Sequence, residues 1–272
     1  WKETEAKLIQ KKLLIFDLDG TLSKSKTHLQ QDMANILSIL LWKYDIVVIS
    51  GCSYEQMLEQ FIKPLFLDHI AVNECASRLH LLPMSGTSYY GYSKAEHRFK
   101  PVYQDSMSLR EKAQILNAFD EALDASLIVL PKPYGDVEED RGSQVTFSLL
   151  GQKAPLNEKE QFDPDARLRH RICDEMFGKL DGFFEIRIGG TTSIDVTHEG
   201  MDKAYGIMRL LKIINKSEKD TVFVGDSLFD GGNDASVKKT KIDCMEVDDE
   251  KETLKMLTML AEKMLLNKLE NK

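Results

Sequence analysis

The chain has 272 residues, a formal net charge of −8, 42% hydrophobic residues and 29% charged residues. This composition is typical of a globular protein, and an acidic chain without a basic run offers little attraction to nucleic acid. No apolar stretch approaches the ~20 residues that span a bilayer and no signal peptide is evident, so we expect no membrane partner.

The cysteines are widely scattered and form no CxxC pair; they are Cys52, Cys75, Cys173 and Cys244. This spacing predicts neither a zinc site nor a disulfide framework. Reduced thiols fit the cytoplasm best, which is the location we expect. Because residue 1 is Trp rather than Met, we expect the natural chain to begin earlier.

The first predicted strand, residues 13–17, is a short apolar run that leads into two acids, Asp17 and Asp19. Side chains at i and i+2 of a strand point to the same side, so the two carboxylates stand together if the strand continues to Asp19. Gly20 then allows a sharp turn of the backbone. Two carboxylates this close require a proton or a cation between them, and Mg²⁺ is the preferred hard cation.

The next elements alternate between helix and strand. Apolar residues at helical spacing predict a helix over residues 29–43, and the run Ile46-Val47-Val48-Ile49 predicts a second buried strand that ends at Ser50. Ser53 is placed to cap a further helix, which ends near Pro64. The order strand, helix, strand, helix predicts a parallel doubly wound sheet.

The pattern changes near Pro83 and returns to its first form after residue 196. Between these points short strands and helices predict an inserted α+β domain at residues 86–196, with strands in 87–92, 97–103, 127–130, 143–149, 183–188 and 192–197 and helices in 108–124 and 163–179. The predicted core domain therefore consists of residues 1–85 and 197–272.

The core resumes with a helix that begins near Met201 and carries Lys203 in its first turn. A buried strand at residues 221–226 then ends in Asp226, and a further strand at 242–247 precedes a C-terminal helix. Ligands of open α/β sheets bind beyond the carboxyl ends of the strands. We therefore expect Asp17, Asp19, Ser50 and Asp226 to meet Lys203 at one edge.

This set of side chains is suited to phosphoryl transfer. Asp17 can attack phosphorus, and Asp19 can protonate the leaving oxygen and later deprotonate the incoming one. A metal ion and Lys203 would offset the charge of the transferring group. Ser50 and Thr21 can donate hydrogen bonds to phosphate oxygens.

The run Asp17-Leu18-Asp19-Gly20-Thr21 resembles the DxDGT motif of the haloacid dehalogenase (HAD) superfamily of phosphotransferases. Ile49-Ser50-Gly51 is similar to the second motif of that family, Lys203 to the third, and residues 225–234 to the fourth. The resemblance implies an α/β fold with a HAD-type doubly wound parallel sheet and an inserted α+β cap domain.

The same resemblance implies the roles of individual residues. Asp17 is expected to be the nucleophile and Asp19 the acid and base. Mg²⁺ is expected to be held by Asp17, the backbone carbonyl of Asp19, and Asp226. Asn233 and Asp234 of the fourth motif are also expected to contribute to the metal site.

A narrower resemblance, to the eukaryotic-type phosphomannomutases, covers the insert. It rests on the GD-x₅-GGND form of the fourth motif and on residues 141–145, 188–196 and 200–203. It implies that the cap binds the sugar and the phosphate that is not transferred. Arg141 would then bind phosphate and Ser193 and Asp195 the sugar hydroxyls or the distal phosphate, with Gly190 and Gln152 also in the substrate site.

Two features leave alternatives open in the cap. Arg141 by itself is equally explained by a surface ion pair with Glu138 or Glu139. Phosphomannomutases also carry an arginine in a Pro-Ile-Gly-Arg segment, where this chain has Leu149-Leu150-Gly151-Gln152. A mutase binds phosphate at both ends of the sugar, and a lost charge-assisted contact costs about 1.5–3 kcal/mol.

Three functions are therefore compatible with the sequence. The first, which the sequence favours, is a phosphomannomutase-like enzyme that interconverts hexose 6- and 1-phosphates through a bisphosphate. The second is a sugar-phosphate phosphatase, and the third is a non-catalytic sugar-phosphate binding protein. The expected partners are a hexose phosphate substrate, a hexose bisphosphate activator and a second copy of the chain in a homodimer.

Overall fold

The structure is a computed structural model that describes residues 8–66, 72–180 and 182–270. It divides into two compact units. The first consists of Trp1–Gln104 and Asp202–Lys272, and the second of Asp105–Met201.

Each unit is built on its own sheet. The strands of the first unit are β1 (Leu13–Asp17), β2 (Asp45–Ile49), β3 (Leu79–Leu82), β4 (Ser88–Ser93), β5 (Arg98–Gln104), β10 (Thr221–Gly225) and β11 (Asp243–Glu246). Those of the second unit are β6 (Glu138–Asp140), β7 (Gln144–Ser148), β8 (Phe184–Gly189) and β9 (Ser193–His198).

Within the described residues the first sheet has seven strands in the order β11-β10-β1-β2-β3-β4-β5. The five strands from β11 to β3 are parallel, whereas β4 and β5 are antiparallel to their neighbours. All residues of β1 are buried, as its continuous apolar run requires. Because β1 lies between β10 and β2, the carboxyl ends of these three strands meet at one edge of the sheet.

Helices cover both faces of this sheet. They are α1 (Gln31–Leu40), α2 (Tyr54–Met57), which continues through a π-helical turn (Leu58–Ile62) into α3 (Lys63–Phe66), α4 (Val72–Cys75), α8 (Lys203–Ile213) and α9 (Glu250–Glu270). Phe16 of β1 packs in a cluster with α1 and α9, whereas Ile15, its neighbour in the strand, packs with α8. No helix in the described part of the chain is long and apolar enough to cross a membrane.

The second unit has an antiparallel sheet in the order β6-β7-β9-β8. Its helices are α5 (Leu109–Ala125), α6 (Leu156–Phe162) and α7 (Arg167–Phe177). The core lies between the sheet and the helices, where Phe119 of α5 stacks on Phe147 of β7 with ring centroids 3.9 Å apart. The predicted fold class, a parallel-dominated α/β core with a separate α+β unit, is confirmed.

The predicted domain limits, 86 and 196, differ from the division at 104/105 and 201/202. Strand β3 was not predicted, so the strands that follow had no predicted neighbour in the first sheet. In the structure β4 pairs with β3, with His80 opposite Gly91 and Leu81 opposite Tyr90. The hairpin of β4 and β5 therefore extends the first sheet.

Two further elements differ from the prediction. The helix expected to open at Asp163 begins at Arg167, although the Asp163 carboxylate still accepts hydrogen bonds from the backbone N–H groups of Leu168 and Arg169, at 3.0 and 3.2 Å. Residues 128–130 do not form the expected strand, because α5 ends in a turn in which Leu127 adopts a positive φ of 52°.

Candidate active site

Three neighbouring strands deliver the polar side chains of the site. Asp17 is the last residue of β1, Ser50 directly follows β2, and Asp226 directly follows β10. The side chains of Asp17 and Ser50 are buried, at 2% exposure for each residue. The expectation that the strand ends would converge is met because β10, β1 and β2 are parallel neighbours.

Lys203 is a fully buried cation between two carboxylates. It is the first residue of α8, which begins because Asp202 caps it by accepting a hydrogen bond from Tyr205 N at 3.0 Å. The ammonium of Lys203 donates to Asp17 Oδ1 and, at 2.6 Å, to Asp234 Oδ1. Burying this charge is tolerable only because it is paired on two sides.

The electrostatics of the site are dominated by burial and negative charge. Burial raises the pKa of Asp17 to about 7; Asp234 and Asp226 add to this rise, while Lys203 opposes it. Burial by itself would lower the pKa of Lys203, but the charges of Asp17 and Asp234 raise it. Lys203 therefore remains charged, and the carboxylates outnumber the one cation that binds them.

The carboxylates of Asp17, Asp226 and Asp234 form a compact group in which one oxygen of each lies within 4.8 Å of the others. Two glycines allow this approach: a Cβ on Gly225 would lie 2.3 Å from Asp234 Oδ2, and a Cβ on Gly20 would lie 2.7 Å from Asp226 Oδ2. Asp17 and Asp234 are buried and Asp226 is half-buried, and an all-oxygen donor set with excess negative charge is the kind of environment that a hard divalent cation prefers. The residues present thus fit the predicted Mg²⁺ site.

Asp19 is not among these clustered carboxylates. Because β1 ends at Asp17, the strand does not continue to Asp19, which was the condition for the two acids to share one face of the strand. Asp19 Oδ1 instead accepts a hydrogen bond from Lys26 N at 2.6 Å. Asp19 is followed by Gly20, whose φ of 88° turns the backbone away from the direction of the strand.

The two hydroxyls of the site differ in their bonding. Thr21 Oγ1 donates to Asp226 Oδ1 at 3.1 Å, so its single proton is directed at a carboxylate and not at the predicted phosphate oxygen. Ser50 Oγ accepts a hydrogen bond from Cys52 N at 3.1 Å and also forms a hydrogen bond with the Cys52 thiol.

The turn after β10 carries the remaining residues of the fourth motif. Asn233 is exposed, whereas Asp234 is buried and binds Lys203. Asp234 Oδ2 also accepts a hydrogen bond from Ser227 N at 3.2 Å. Ser227 was not predicted as a site residue, because the sequence marks it only by its place next to Asp226.

In the second unit, Arg141 follows β6 and forms an ion pair with Glu139 at 2.6 Å, which is the alternative that the sequence left open. Its Nε atom is buried without a hydrogen-bond partner among the described residues. The ion pair with Glu139 thus uses only part of the guanidinium donor set of Arg141.

Ser193 and Asp195 lie on β9, two residues apart and therefore on one face of the sheet. Thr146 Oγ1 donates to Asp195 Oδ1 at 2.7 Å. Burial raises the pKa of Asp195, whereas the hydrogen bond from Thr146 and the charge of Arg141 lower it. This face of the sheet therefore presents polar groups from β7 and β9.

The last two predicted substrate residues lie in turns. The carbonyl of Gly190 accepts a hydrogen bond at 2.8 Å from Arg169, a buried arginine that also pairs with Asp163 and was not predicted to matter. Gln152 is exposed after β7, and its carbonyl accepts a hydrogen bond from Lys159 Nζ at 3.0 Å.

Comparison with solved structures supports the fold. A C-terminally truncated IMP-nucleotidase from Plasmodium falciparum superimposes with a TM-score of 0.69 at 19% identity, covering 95% of this chain and 74% of that one. Trehalose-6-phosphate phosphatase from Aspergillus fumigatus gives a TM-score of 0.54 at 13% identity, covering 95% and 97%. At these identities the likeness concerns the fold alone, and it agrees with the predicted HAD-type architecture.

Sequence comparison is more specific. Phosphomannomutases from Schizosaccharomyces pombe and Encephalitozoon cuniculi are 29% identical over 240 residues and 26% identical over 236 residues. These matches cover 86% and 85% of this chain, and 87% and 86% of the respective relatives. A family model described as eukaryotic phosphomannomutase matches residues 33–263. The chain therefore belongs to the eukaryotic phosphomannomutase family, as its motifs predicted.

Proposed function

We propose that the protein is a phosphomannomutase-type sugar phosphomutase that interconverts mannose 6-phosphate and mannose 1-phosphate. The observation that carries the proposal is the family match over residues 33–263, which includes the second to fourth motifs. The buried contact of Lys203 with Asp17 and Asp234 supports it, because simple binding of a sugar phosphate has no need of a lysine buried against a nucleophile.

The reaction begins with attack by Asp17. Lys203 binds Oδ1 of this carboxylate, so we assign the attack on phosphorus to Oδ2. With a hexose bisphosphate as donor, the bond from Oδ2 to phosphorus forms while the bond to one sugar oxygen breaks, and Asp19 gives that oxygen its proton, so that a hexose monophosphate is released. In the other half-reaction, Asp19 takes the proton of the free hydroxyl of a hexose monophosphate, whose oxygen attacks phosphorus, forms the bisphosphate and releases Asp17.

The metal site of the proposal is made by Asp17, Asp226 and Asp234 with the backbone carbonyl of Asp19, and Asn233 stays a predicted contributor. When bound, Mg²⁺ would offset the negative charge of the carboxylates and of the transferring phosphate. Lys203 also offsets negative charge, through its direct contact with Asp17, and it holds the Asp17 side chain in place.

Recognition of the sugar and of the distal phosphate is assigned to Arg141, Ser193, Asp195 and Gly190 in the second unit. Arg141 has a planar fork of donors suited to phosphate, and its unpartnered Nε supports this role. Ser193 and Asp195 are suited to sugar hydroxyls.

A phosphatase is the second candidate, and Gln152 is the observation that favours it. This side chain is neutral and exposed where the family carries an arginine. A site with one cation fewer holds the bisphosphate less tightly, so water can take the phosphoryl group of Asp17 in place of a sugar hydroxyl.

The test is to incubate the protein with mannose 1-phosphate, Mg²⁺ and a catalytic amount of a hexose 1,6-bisphosphate activator. Mannose 6-phosphate and inorganic phosphate are then quantified in the same samples. We expect mannose 6-phosphate as the main product. Inorganic phosphate as the main product would reject the mutase in favour of the phosphatase.

The control for the chemistry is Asp17→Asn, which removes the nucleophilic oxygen but keeps the size of the side chain. We expect neither product with this variant. Full activity would show that Asp17 is not the nucleophile, whichever product the wild-type protein forms.

We also propose a cytoplasmic location and a homodimer. None of the cysteines forms a disulfide among the described residues, which is consistent with a reducing compartment. The measurements are fractionation of cells and the molecular mass in solution.

A further inference from the structure

Ser227, in the turn that follows β10, connects two of the clustered carboxylates. Its hydroxyl donates to Asp226 Oδ2 at 3.1 Å, and its backbone N–H donates to Asp234 Oδ2 at 3.2 Å. Its carbonyl accepts the backbone N–H of Asp234, also at 3.2 Å. The backbone of Ser227 thus fixes Asp234, while its side chain is left to act on Asp226.

The Asp226 carboxylate is held from opposite sides. Thr21 donates to Oδ1 at 3.1 Å, and Ser227 donates to Oδ2 at the same distance. The backbone of Gly20 lies close to the same carboxylate, because a Cβ on this residue would lie 2.7 Å from Oδ2. Two hydroxyls from segments more than 200 residues apart therefore determine the orientation of this one carboxylate.

The chemistry of the donors distinguishes Asp226 from its neighbours. Asp17 and Asp234 each receive the ammonium of Lys203, whereas the side-chain donors to Asp226 are neutral hydroxyls. A hydroxyl orients a carboxylate without cancelling its charge, and each oxygen keeps a further lone pair. The orientation of Asp226 is therefore fixed while its oxygens stay free to bind a cation, which is what a ligand for a divalent cation requires.

We propose that Ser227 is a positioning residue that aligns Asp226 for binding of the divalent cation. The inference rests on the Mg²⁺ site of the proposed function. Partners that orient metal ligands typically change the metal affinity about 10–100-fold when they are removed. Ser227→Ala removes the hydroxyl but keeps both backbone hydrogen bonds to Asp234, so it isolates the effect on Asp226.

The experiment measures Mg²⁺ binding without substrate, by isothermal titration calorimetry and by the rise of the unfolding temperature with Mg²⁺ concentration. We expect Ser227→Ala to bind Mg²⁺ about tenfold more weakly. Its unfolding temperature without Mg²⁺ should stay close to that of the wild-type protein. Ser227→Thr, which keeps a hydroxyl, should restore most of the affinity.

A matched control is Ser217→Ala. The Ser217 hydroxyl donates to Asp220 Oδ2 at 3.1 Å, the same type and length of bond, but away from the acidic cluster. Its loss should leave Mg²⁺ binding unchanged. Should Ser227→Ala fail to fold, Ser227→Cys, whose thiol is a weak donor, takes its place with the same expected loss.

The outcomes separate this inference from the proposed function. A wild-type protein that binds Mg²⁺, together with an unchanged dissociation constant in Ser227→Ala, overturns the role of Ser227 alone. A wild-type protein that binds no Mg²⁺ overturns both. Equal losses in Ser227→Ala and Ser217→Ala would show a general effect of stability and would also overturn the role.

Discussion

At the scale of single residues, the site depends on the groups that hold three neighbouring carboxylates together. Lys203 binds Asp17 and Asp234, and the hydroxyls of Thr21 and Ser227 bind Asp226. Burial raises the pKa of Asp17 to about 7, while the charge of Lys203 lowers it. The same charges therefore affect the stability of the first unit and the binding of a cation that we propose for it.

Replacing Lys203 by Met is expected to lower the free energy of unfolding by about 3–5 kcal/mol, because it leaves two buried carboxylates without their counter-charge. Mg²⁺ should recover part of this loss by supplying positive charge to the same carboxylates. The measurement is urea unfolding with EDTA and again with Mg²⁺. Tryptophan fluorescence is suited to the first unit, because both tryptophans, Trp1 and Trp42, precede residue 105.

The control is Lys216→Met, which breaks a more exposed ion pair with Asp45 at 2.5 Å in the same unit. The two side chains are 27% and 17% exposed, so water still reaches the pair and a smaller loss than for the fully buried Lys203 is expected. A loss in Lys203→Met no larger than in Lys216→Met would contradict the view that Lys203 neutralises the buried acids.

At the scale of elements, the strands with a clear local apolar pattern were predicted from the sequence. The features that depend on pairing between distant segments were not. The strands that end at Asp17, Ser50 and Asp226 were predicted because fully buried parallel strands are continuous apolar runs. The short strand β3 was missed, and with it the attachment of the hairpin at residues 88–104 to the first sheet. Side-chain hydrogen bonds, such as that from Ser227 to Asp226, depend on the three-dimensional structure and cannot be predicted from the periodicity of the sequence.

Helix α8 illustrates how packing overrides local propensity. Gly206 lies one turn after Lys203 and contacts the turn Met84–Gly86: a Cβ on Gly206 would lie 2.5 Å from Gly86 Cα and 2.9 Å from the Ser85 carbonyl oxygen. The Ser85 N–H in turn donates to the Ser50 carbonyl at 2.9 Å. The glycine thus lets α8 approach the segment that carries Ser50.

We expect Gly206→Ala to destabilise the protein by about 1–3 kcal/mol through overpacking. Helix propensity alone predicts the opposite, a gain of about 1 kcal/mol. The measurement is thermal unfolding followed by circular dichroism. Gly178→Ala is the control, since a Cβ there meets nothing closer than 3.7 Å, and it should change little. Stabilisation by Gly206→Ala would show that α8 moves away from the turn without cost.

At the scale of the whole molecule, the residues proposed for chemistry and those proposed for recognition lie in different units. The residues proposed to react or to bind the metal all lie in Trp1–Gln104 and Asp202–Lys272, whereas those proposed to bind the sugar lie in Asp105–Met201. The hydrophobic clusters follow the same division, because no cluster of buried core residues draws members from both units among the residues described. Each unit thus has a core of its own.

Residues 105–201, expressed alone, should therefore fold cooperatively, because a separate core is what an independent domain requires. The measurement is thermal unfolding by circular dichroism, with a single sigmoidal transition expected.

Phe147→Ala should lower the stability of this fragment by about 3–5 kcal/mol, or abolish its folding, because Phe147 is fully buried and stacks on Phe119. Phe177→Ala, at a side chain that is 70% exposed, makes the same chemical change outside the core and should have little effect. A gradual, non-cooperative transition in the wild-type fragment would mean that its core forms only within the whole chain, and that the inserted unit depends on the first for its folding as well as for its chemistry.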